Sequence, residues 1–313
     1  MTAQNKKLFL TLALASIFYF LSSATVFAQN TSSFTVSPPS LDFSLKPGQK
    51  VERTIKVTNT SQEKMDFTVN IEDFVVTDNK GTPELLAPGV LPNNRFAASS
   101  WSVAIPDSFS IEPGKSQTTV IYINVPKDAN PGGRYFAAAV RSVNDSTLTS
   151  TGAKVNTVVG CLIRLKVDGV IKENARLVSF LAPIFSEYGP VPFTTEIRNF
   201  GDIHASPRAT VEVKDLFGRK VYSFALDNLN IFPGTARIYK NSLEIKWLLG
   251  RFTAKLEGYY GTGNKLPLSA NLAFWVIPYK LIIAVLLAVA ISIIAYSYFK
   301  KKQEAKEIIE EEK

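Results

Sequence analysis

From Leu281 to Phe299 the chain reads LIIAVLLAVAISIIAYSYF, nineteen residues without a charge. As an α-helix this stretch is roughly 28 Å long, enough to cross the hydrocarbon core of a bilayer. A buried core helix rarely lacks charges for five turns and then ends in three lysines. Here Lys280 stands at one edge and Lys300, Lys301 and Lys302 at the other. Short positive segments stay on the cytoplasmic side, so the triple lysine is expected inside and everything before Tyr279 outside. Trp275, Tyr279, Tyr296 and Tyr298 fit an interfacial aromatic belt at the two ends of the span.

The start of the chain agrees with export. Lys6 and Lys7 precede an apolar run from Leu8 to Leu21, and Val26 and Ala28 are small residues at the spacing a signal peptidase needs. Residues 1–28 are therefore expected to be a secretory signal, removed before Gln29. What remains outside, about 250 residues, suffices for two domains with separate cores. The full chain carries a net charge of +8. Once the signal, Lys280 and the charge-balanced tail are set aside, only a mild positive excess is left. It suits an anionic lipid or wall-polymer surface, or simple solubility. No basic run with interleaved aromatics is present, so nucleic acid is not an expected partner. The single cysteine, Cys161, excludes an intrachain disulfide and lies in the strand-like run VNTVVGCLIRLKV, where a buried, inert thiol is expected.

Between Phe34 and Val276 no convincing amphipathic helix occurs. Short β-rich runs recur instead, such as VERTIKV from Val51, TTVIYINV from Thr118 and RYFAAAVRSV from Arg134. Alternation in TTVIYINV puts Ile121, Ile123 and Val125 on one face and Tyr122 and Asn124 on the other. Pro47-Gly48 and Pro113-Gly114 fit turns in which Pro presets φ and Gly accepts a positive one. A second unit begins near Gly169, with FTTEIRNFG from Phe193, ATVEVKDLFGRKVYSFAL from Ala209 and FTAKLEGYY from Phe252. Asp215-Leu-Phe-Gly218 marks a hairpin. The units echo one another: Lys56-Val-Thr-Asn59 matches Glu196-Ile-Arg-Asn199, Pro113-Gly114 matches Pro233-Gly234, and Gly133-Arg-Tyr135 matches Gly250-Arg-Phe252. The expected fold is all-β, two tandem immunoglobulin-like sandwiches (29–168 and 169–277), followed by a transmembrane helix (279–299) and a cytoplasmic tail (300–313). Trp101, in the run Ser-Trp-Ser-Val-Ala-Ile, is expected to fill the first core.

Catalytic signatures are missing. His204 is the only histidine and falls in a loop after Gly201-Asp202; neither a Gly-x-Ser-x-Gly elbow nor a His-Glu-x-x-His motif is present. Ser61-Gln-Glu-Lys64 matches Ser-x-x-Lys in letters only, at a hairpin tip. One histidine and one cysteine do not make a zinc site. Glu72, Asp73 and Asp78 form a weak acidic grouping that reads as a strand end. Leu266-Pro-Leu-Ser-Ala270 departs from a sortase signal at its last two positions and leads into a strand-like run. The chain is thus expected to be no enzyme and to call for no cofactor or metal. The longest irregular stretch, Pro83 to Ser100, carries Leu85, Leu86, Arg95 and Phe96, which are the candidate partner surface. The other reading is a padding loop that seals the first core.

Phe34-Thr-Val-Ser-Pro38, Lys56-Val-Thr-Asn59, Ser100-Trp101, Phe109 to Gly114, Val125-Pro126 and Pro131 to Tyr135 resemble the first domain of the WxL-interacting surface proteins of Gram-positive bacteria. Arg198-Asn-Phe-Gly201 and Trp247 to Phe252 are similar to that family's second domain. The opening of the first unit is also similar to periplasmic pilus chaperones. The resemblance implies a surface protein whose first domain binds peptidoglycan and whose second engages a protein. The expected function is therefore non-catalytic binding of a wall polymer or an exported protein partner near the membrane. The alternative is a chaperone-like role in which a sheet edge donates or accepts a strand. An exported enzyme ranks last.

Overall fold

The protein, as a computed structural model, is described for residues 34–87, 90, 94–148 and 154–311, and for the side chains of all of these but 144–148, 154–156 and 301–311. The expected secretory signal lies outside the described residues. The first sandwich is built from β1 (Phe34–Ser37), β2 (Ser40–Leu45), β3 (Lys50–Asn59), β4 (Met65–Val76), β5 (Pro83–Leu85), β6 (Ser102–Ile105), β7 (Ser108–Ile111), β8 (Ser116–Asn124), β9 (Gly132–Leu148) and β10 (Lys154–Val167). One sheet runs β1-β3-β8-β6. The other runs β2-β10-β9-β4-β5, with β7 also on β4. The second sandwich comprises β11 (Ala175–Leu181), β12 (Phe185–Ser186), β13 (Val191–Asn199), β14 (Arg208–Lys214), β15 (Lys220–Ala225), β16 (Ala236–Leu243), β17 (Gly250–Tyr260) and β18 (Leu266–Val276), in sheets β11-β13-β16 and β12-β18-β17-β14-β15. Pairing is antiparallel except for β2 on β10 and β12 on β18.

Period-two patterning explains these strands. In β8 and the residue after it, Ile121, Ile123 and Val125 are buried while Tyr122 and Asn124 face out, as a sheet packed on one face requires. In β13 Val191, Phe193, Thr195, Ile197 and Asn199 are buried in strict alternation. The first core centres on Phe34, Phe67, Phe136, Ile55 and Ile163, with Phe34 and Phe67 edge to face at 5.0 Å. The second centres on Phe193, Val211, Leu256 and Phe274, with Phe193 and Phe274 edge to face at 5.7 Å. Each such fully buried side chain contributes about 1.5–3 kcal/mol. Cys161 is buried in the first core, and burial pushes its thiol up to about 12, which makes it inert.

Trp101 departs from expectation. It ends a single 3-10 turn, Ser99–Trp101, and is only half-buried against the first core, with the Arg134 guanidinium 5.3 Å from its ring. The cause is Asp73, whose carboxylate accepts from Ala98 N–H, Ser99 N–H and Ser99 Oγ–H at 2.7–2.8 Å. Gathering these donors coils the chain before β6, and the small Ala98 and Ala104 take the core positions.

The echo between the units has a physical basis in two buried asparagines. Asn59 donates from Nδ2 to the carbonyls of Glu63 and Ile111, and its Oδ1 accepts from Ser61 N–H. Asn199 donates to the carbonyls of Ile203 and Ile231, and its Oδ1 accepts from Gly201 N–H. The backbones match as well: Gly114 donates to Asn59 O and Gly234 to Asn199 O. Both glycines sit at positive φ, +67° and +79°, after the proline of each turn. Each asparagine thus ties the end of its strand to two loops.

Beyond β18 only Ile277 and Pro278 precede helix α1 (Tyr279–Glu311). Its segment Tyr279–Lys300 is long and apolar enough to cross a membrane, and none of its most apolar stretch is buried against the rest of the chain.

Asn199→Ala should lower the stability of the second sandwich by about 2–6 kcal/mol. It would leave the Gly201 N–H and the Ile203 carbonyl without their partner, at about 1–3 kcal/mol for each. Asn199→Asp should cost no less, because it turns a carboxylate oxygen toward two carbonyls. Urea unfolding of the detergent-solubilised chain measures both; a midpoint unchanged in either variant would contradict this account of the hub.

Candidate partner-binding site

The Pro83–Ser100 stretch leads to the place where the two sandwiches meet. Phe74 of β4 and Tyr135 of β9 project from the outer face of the first sandwich, and Phe232 projects from the loop between β15 and β16. The Phe232 ring lies edge to face with Tyr135 at 4.9 Å and with Phe74 at 5.6 Å. Such pairs add about 0.5–1.5 kcal/mol each beyond the area they bury. Ala137 beside them is fully buried; the alanine run after Phe136 keeps this face of β9 low enough for close approach. Gly133 is required for the same reason, since a Cβ there would stand 2.2 Å from Tyr135 Oη.

Polar contacts close the junction. His204 N–H donates to Tyr135 Oη at 2.7 Å, and the hydroxyl also lies 3.2 Å from His204 Nδ1. Gly133 N–H donates to Asp202 O at 2.8 Å, and Ile238 N–H donates to Asn79 O at 3.2 Å. Burial pushes His204 down to about 4, with Arg164 adding to the effect, and raises the Tyr135 phenol. Both are neutral at pH 7, and neither has a nucleophile to serve. Among the described residues no group of three or more His, Cys, Asp or Glu side chains could hold a metal.

The four residues named from sequence fall around this junction. Leu85, in β5 opposite Phe74, packs against the aromatic cluster, and Leu86 donates its N–H to Asp73 O. Both are half-buried rather than exposed. Phe96 packs beside Tyr135 with ring centroids at 6.1 Å. Arg95 reaches Asp202 of the second sandwich at 2.8 Å. Sequence reasoning did not single out Phe232, because its partners Tyr135 and Phe74 belong to the other sandwich, far away in the chain. Beside the pair is a cavity of about 290 Å³ lined by Arg95, Phe96, Asn130, Pro131, Arg134 and Asp202. The buried Arg134 guanidinium donates to the carbonyls of Gly133 and Asn130, and burial lowers its pKa. The cavity can hold a small polar or anionic group.

A second feature is the outer edge of β10. Its other edge pairs with β9 on both sides of a bulge between Asn156 and Val158, but β2 covers the outer one only from Leu162 to Val167. Among the described residues no strand pairs with the outer edge from Lys154 to Cys161. Leu162 N–H donates outward to Pro39 O. By the two-residue repeat, Gly160 and Val158 also direct their N–H groups outward. Val158 is 38% exposed. Several other edges are blunted: β1 and β6 have four residues each, β5 three and β12 two, although β12 covers β18 only at Trp275 and Val276 and the six-residue β2 is itself an edge strand. β15 begins at Lys220, β16 carries Arg237 and Lys240, and β11 has a bulge between Leu177 and Ser179. Shortness, charge and bulges are the usual protections of an edge. This part of β10 has Lys154 and a bulge between Asn156 and Val158, so its regular open stretch is Val158 to Cys161.

No family model matches the sequence, and no curated protein does. Among solved structures, the chain is similar to the class 5 fimbriae chaperone CfaA (16% identity, 76% of this chain and 98% of that one, TM-score 0.38). It is similar to a chain of the complex of Salmonella enterica SafA pilin with the SafB chaperone (12%, 78% and 99%, TM-score 0.37). It is also similar to the Pseudomonas aeruginosa CupB2 chaperone (11%, 77% and 100%, TM-score 0.37). The strand topology itself defines the class: two immunoglobulin-like sandwiches in tandem with one apolar C-terminal helix.

Junction stability should be flat just above pH 7 and fall as the pH drops from about 6.5 to about 4. In that window a released His204 takes up a proton that the buried ring refuses. Below about 4 the ring is protonated in both states and adds no further loss. His204→Gln should remove this part of the slope. Thermal unfolding of the full chain across this range, wild type against variant, checks it; identical slopes would rule out His204 as the titrating group.

Proposed function

We propose that this is a membrane-anchored, non-catalytic exported protein that holds an extended segment of an exported protein partner by strand addition at β10. The unpaired outer edge from Lys154 to Cys161 carries the reading. Backbone N–H and C=O groups arranged along an open edge bind an extended chain through a ladder of hydrogen bonds, while alternate side chains set preference. The chaperone-like role thus moves ahead of wall-polymer binding, for which no comparable feature stands out among the described residues. Helix α1 holds the sandwiches at the membrane, with the ectodomain outside and Lys300 to Lys302 on the cytoplasmic side. The resemblance to WxL-interacting surface proteins supports the same placement.

Proline tests the ladder. Gly160→Pro removes an outward donor but leaves the β9 pairing, and a Cβ at 160 meets nothing nearer than 3.6 Å. A photo-crosslinking residue at Val158, in cells, should capture an exported protein through an extended segment. Gly160→Pro should abolish capture while the unfolding midpoint stays near wild type. A probe at Val103, exposed on the other sheet, is the control. Capture of no protein at Val158, or of the same proteins from Val103, removes the reading; capture of glycan alone returns it to the wall polymer.

A further inference from the structure

Of the exposed large apolar residues of the second sandwich, Ile184, Phe185, Leu216, Phe217, Trp247 and Leu249 gather at the end from which α1 leaves. We propose that this end is seated in the headgroup layer of the bilayer that α1 spans, held there by two loop tips remote from the helix in sequence. The inference rests on the reading that α1 is a membrane anchor.

The connection to the helix fixes the height of this end. Trp275 N–H donates to Ile184 O at 2.8 Å and Ile277 N–H to Ser186 O at 3.0 Å, so β12 braces the last turn of chain before α1. The Phe185 ring lies 5.9 Å from Tyr279, and Lys280 Nζ pairs with Glu187 at 2.8 Å. If Tyr279 enters the membrane, Ile184 and Phe185 cannot stand far above it. Strand register carries that level across the sheet. Val276 is opposite Gly250 at the start of β17, and Lys214 at the end of β14 is opposite Thr253. The loop from Glu244 to Leu249 and the β14–β15 hairpin tip from Asp215 to Arg219 therefore point the same way as the helix root.

Both tips carry what a bilayer interface takes up. Phe217 is 80% exposed, Leu249 70% and Trp247 66%; Ile184, at the root, is 79% exposed. Apolar side chains this exposed and this clustered mark an interaction surface. Each aromatic has a cation over its ring: Arg219 at 5.4 Å from Phe217, Lys246 at 5.7 Å from Trp247 and Lys280 at 5.6 Å from Tyr279. Rings at headgroup depth with basic side chains reaching to phosphate are the pattern of the membrane–water interface. The opposite end has exposed aromatics too, Tyr259 and Phe200, the latter under Arg176 and Arg198, but its β17–β18 hairpin tip is polar, with Thr262, Asn264 and Lys265. A polar tip at one end and greasy, basic tips at the other favour lipid over a protein partner as the occupant, since the chain itself delivers this end to the bilayer.

The test uses the full chain in vesicles of phosphatidylcholine with phosphatidylglycerol, with and without bromine high on the acyl chains. Single variants Phe217→Cys, Leu249→Cys, Val289→Cys and Asn264→Cys each carry an environment-sensitive fluorophore. Cys161, buried and with its thiol pushed up to about 12, does not compete. Labels at 217 and 249 should shift to the blue and lose most of their emission in brominated vesicles, as at 289 in the helix, while the label at 264 keeps its own. Quenching at 289 with tips as bright as 264 overturns the proposal and leaves the anchor standing. A bright label at 289 removes the anchor and this inference with it. Without any introduced cysteine, Trp247→Phe should reduce the quenched share of tryptophan emission; no reduction overturns the proposal as well.

Discussion

Asn199 holds two loops that would otherwise be free to part. Its amide reaches the carbonyls of Ile203 and Ile231, and the residues that follow these two, His204 and Phe232, enter the junction with the first sandwich. Asp202, one position before Ile203, supplies the backbone acceptor for Gly133 and the carboxylate for Arg95. The second sandwich therefore presents one rigid end to the first, and that rigidity depends on a buried side chain making all its hydrogen bonds. The same amide in the first sandwich, Asn59, ties the Ser61–Glu63 turn to the turn before Gly114. A repeated hub thus closes the free end in one copy and the docked end in the other.

The junction is a mixed surface. Phe74, Tyr135 and Phe232 provide the apolar contact, and burying them excludes water from the His204–Tyr135 pair. Hydrogen bonds in such surroundings are costly to lose, because the orphaned group stays desolvated. This makes the relative placement of the sandwiches specific as well as favourable. Arg95 and Asp202 lie at the rim, where Arg95 is largely exposed, so their ion pair adds orientation more than stability.

Much of this was legible in the sequence. Alternation located β8 and β13, and Pro-Gly pairs located turns at Gly48 and Gly114. The apolar run from Leu281 located α1. The echo of Asn59 in Asn199 was visible as letters, but its meaning was not, because each amide binds a carbonyl more than thirty residues away. Trp101 was misplaced because Asp73, 28 residues earlier, coils the chain beneath it. In the letters Leu85 and Phe96 are visible only as apolar residues of an irregular stretch. What the letters could not show is that the second sandwich stands beside them. The open edge of β10 left even less trace, since an unpaired strand and a paired one share the same alternation; only the short reach of β2 distinguishes them.

These contacts form one continuous path. The helix root is braced by β12, β12 pairs with β18, and β18 belongs to the sheet packed over Phe193 and Phe274. That core carries Asn199, and the loops Asn199 holds grip Tyr135 of β9. Strand β9 is the inner neighbour of β10. A segment added to the outer edge of β10 would therefore be held at a set distance and direction relative to α1. If the β10 edge receives extended chains as proposed, this has a mechanical consequence. Pull on a segment bound there would be carried through sheet hydrogen bonds and aromatic packing to α1 by way of the junction of Phe232, Tyr135 and His204. Loss of that junction would leave both sandwiches folded, since their cores are separate, yet would free the β10 edge from its fixed placement.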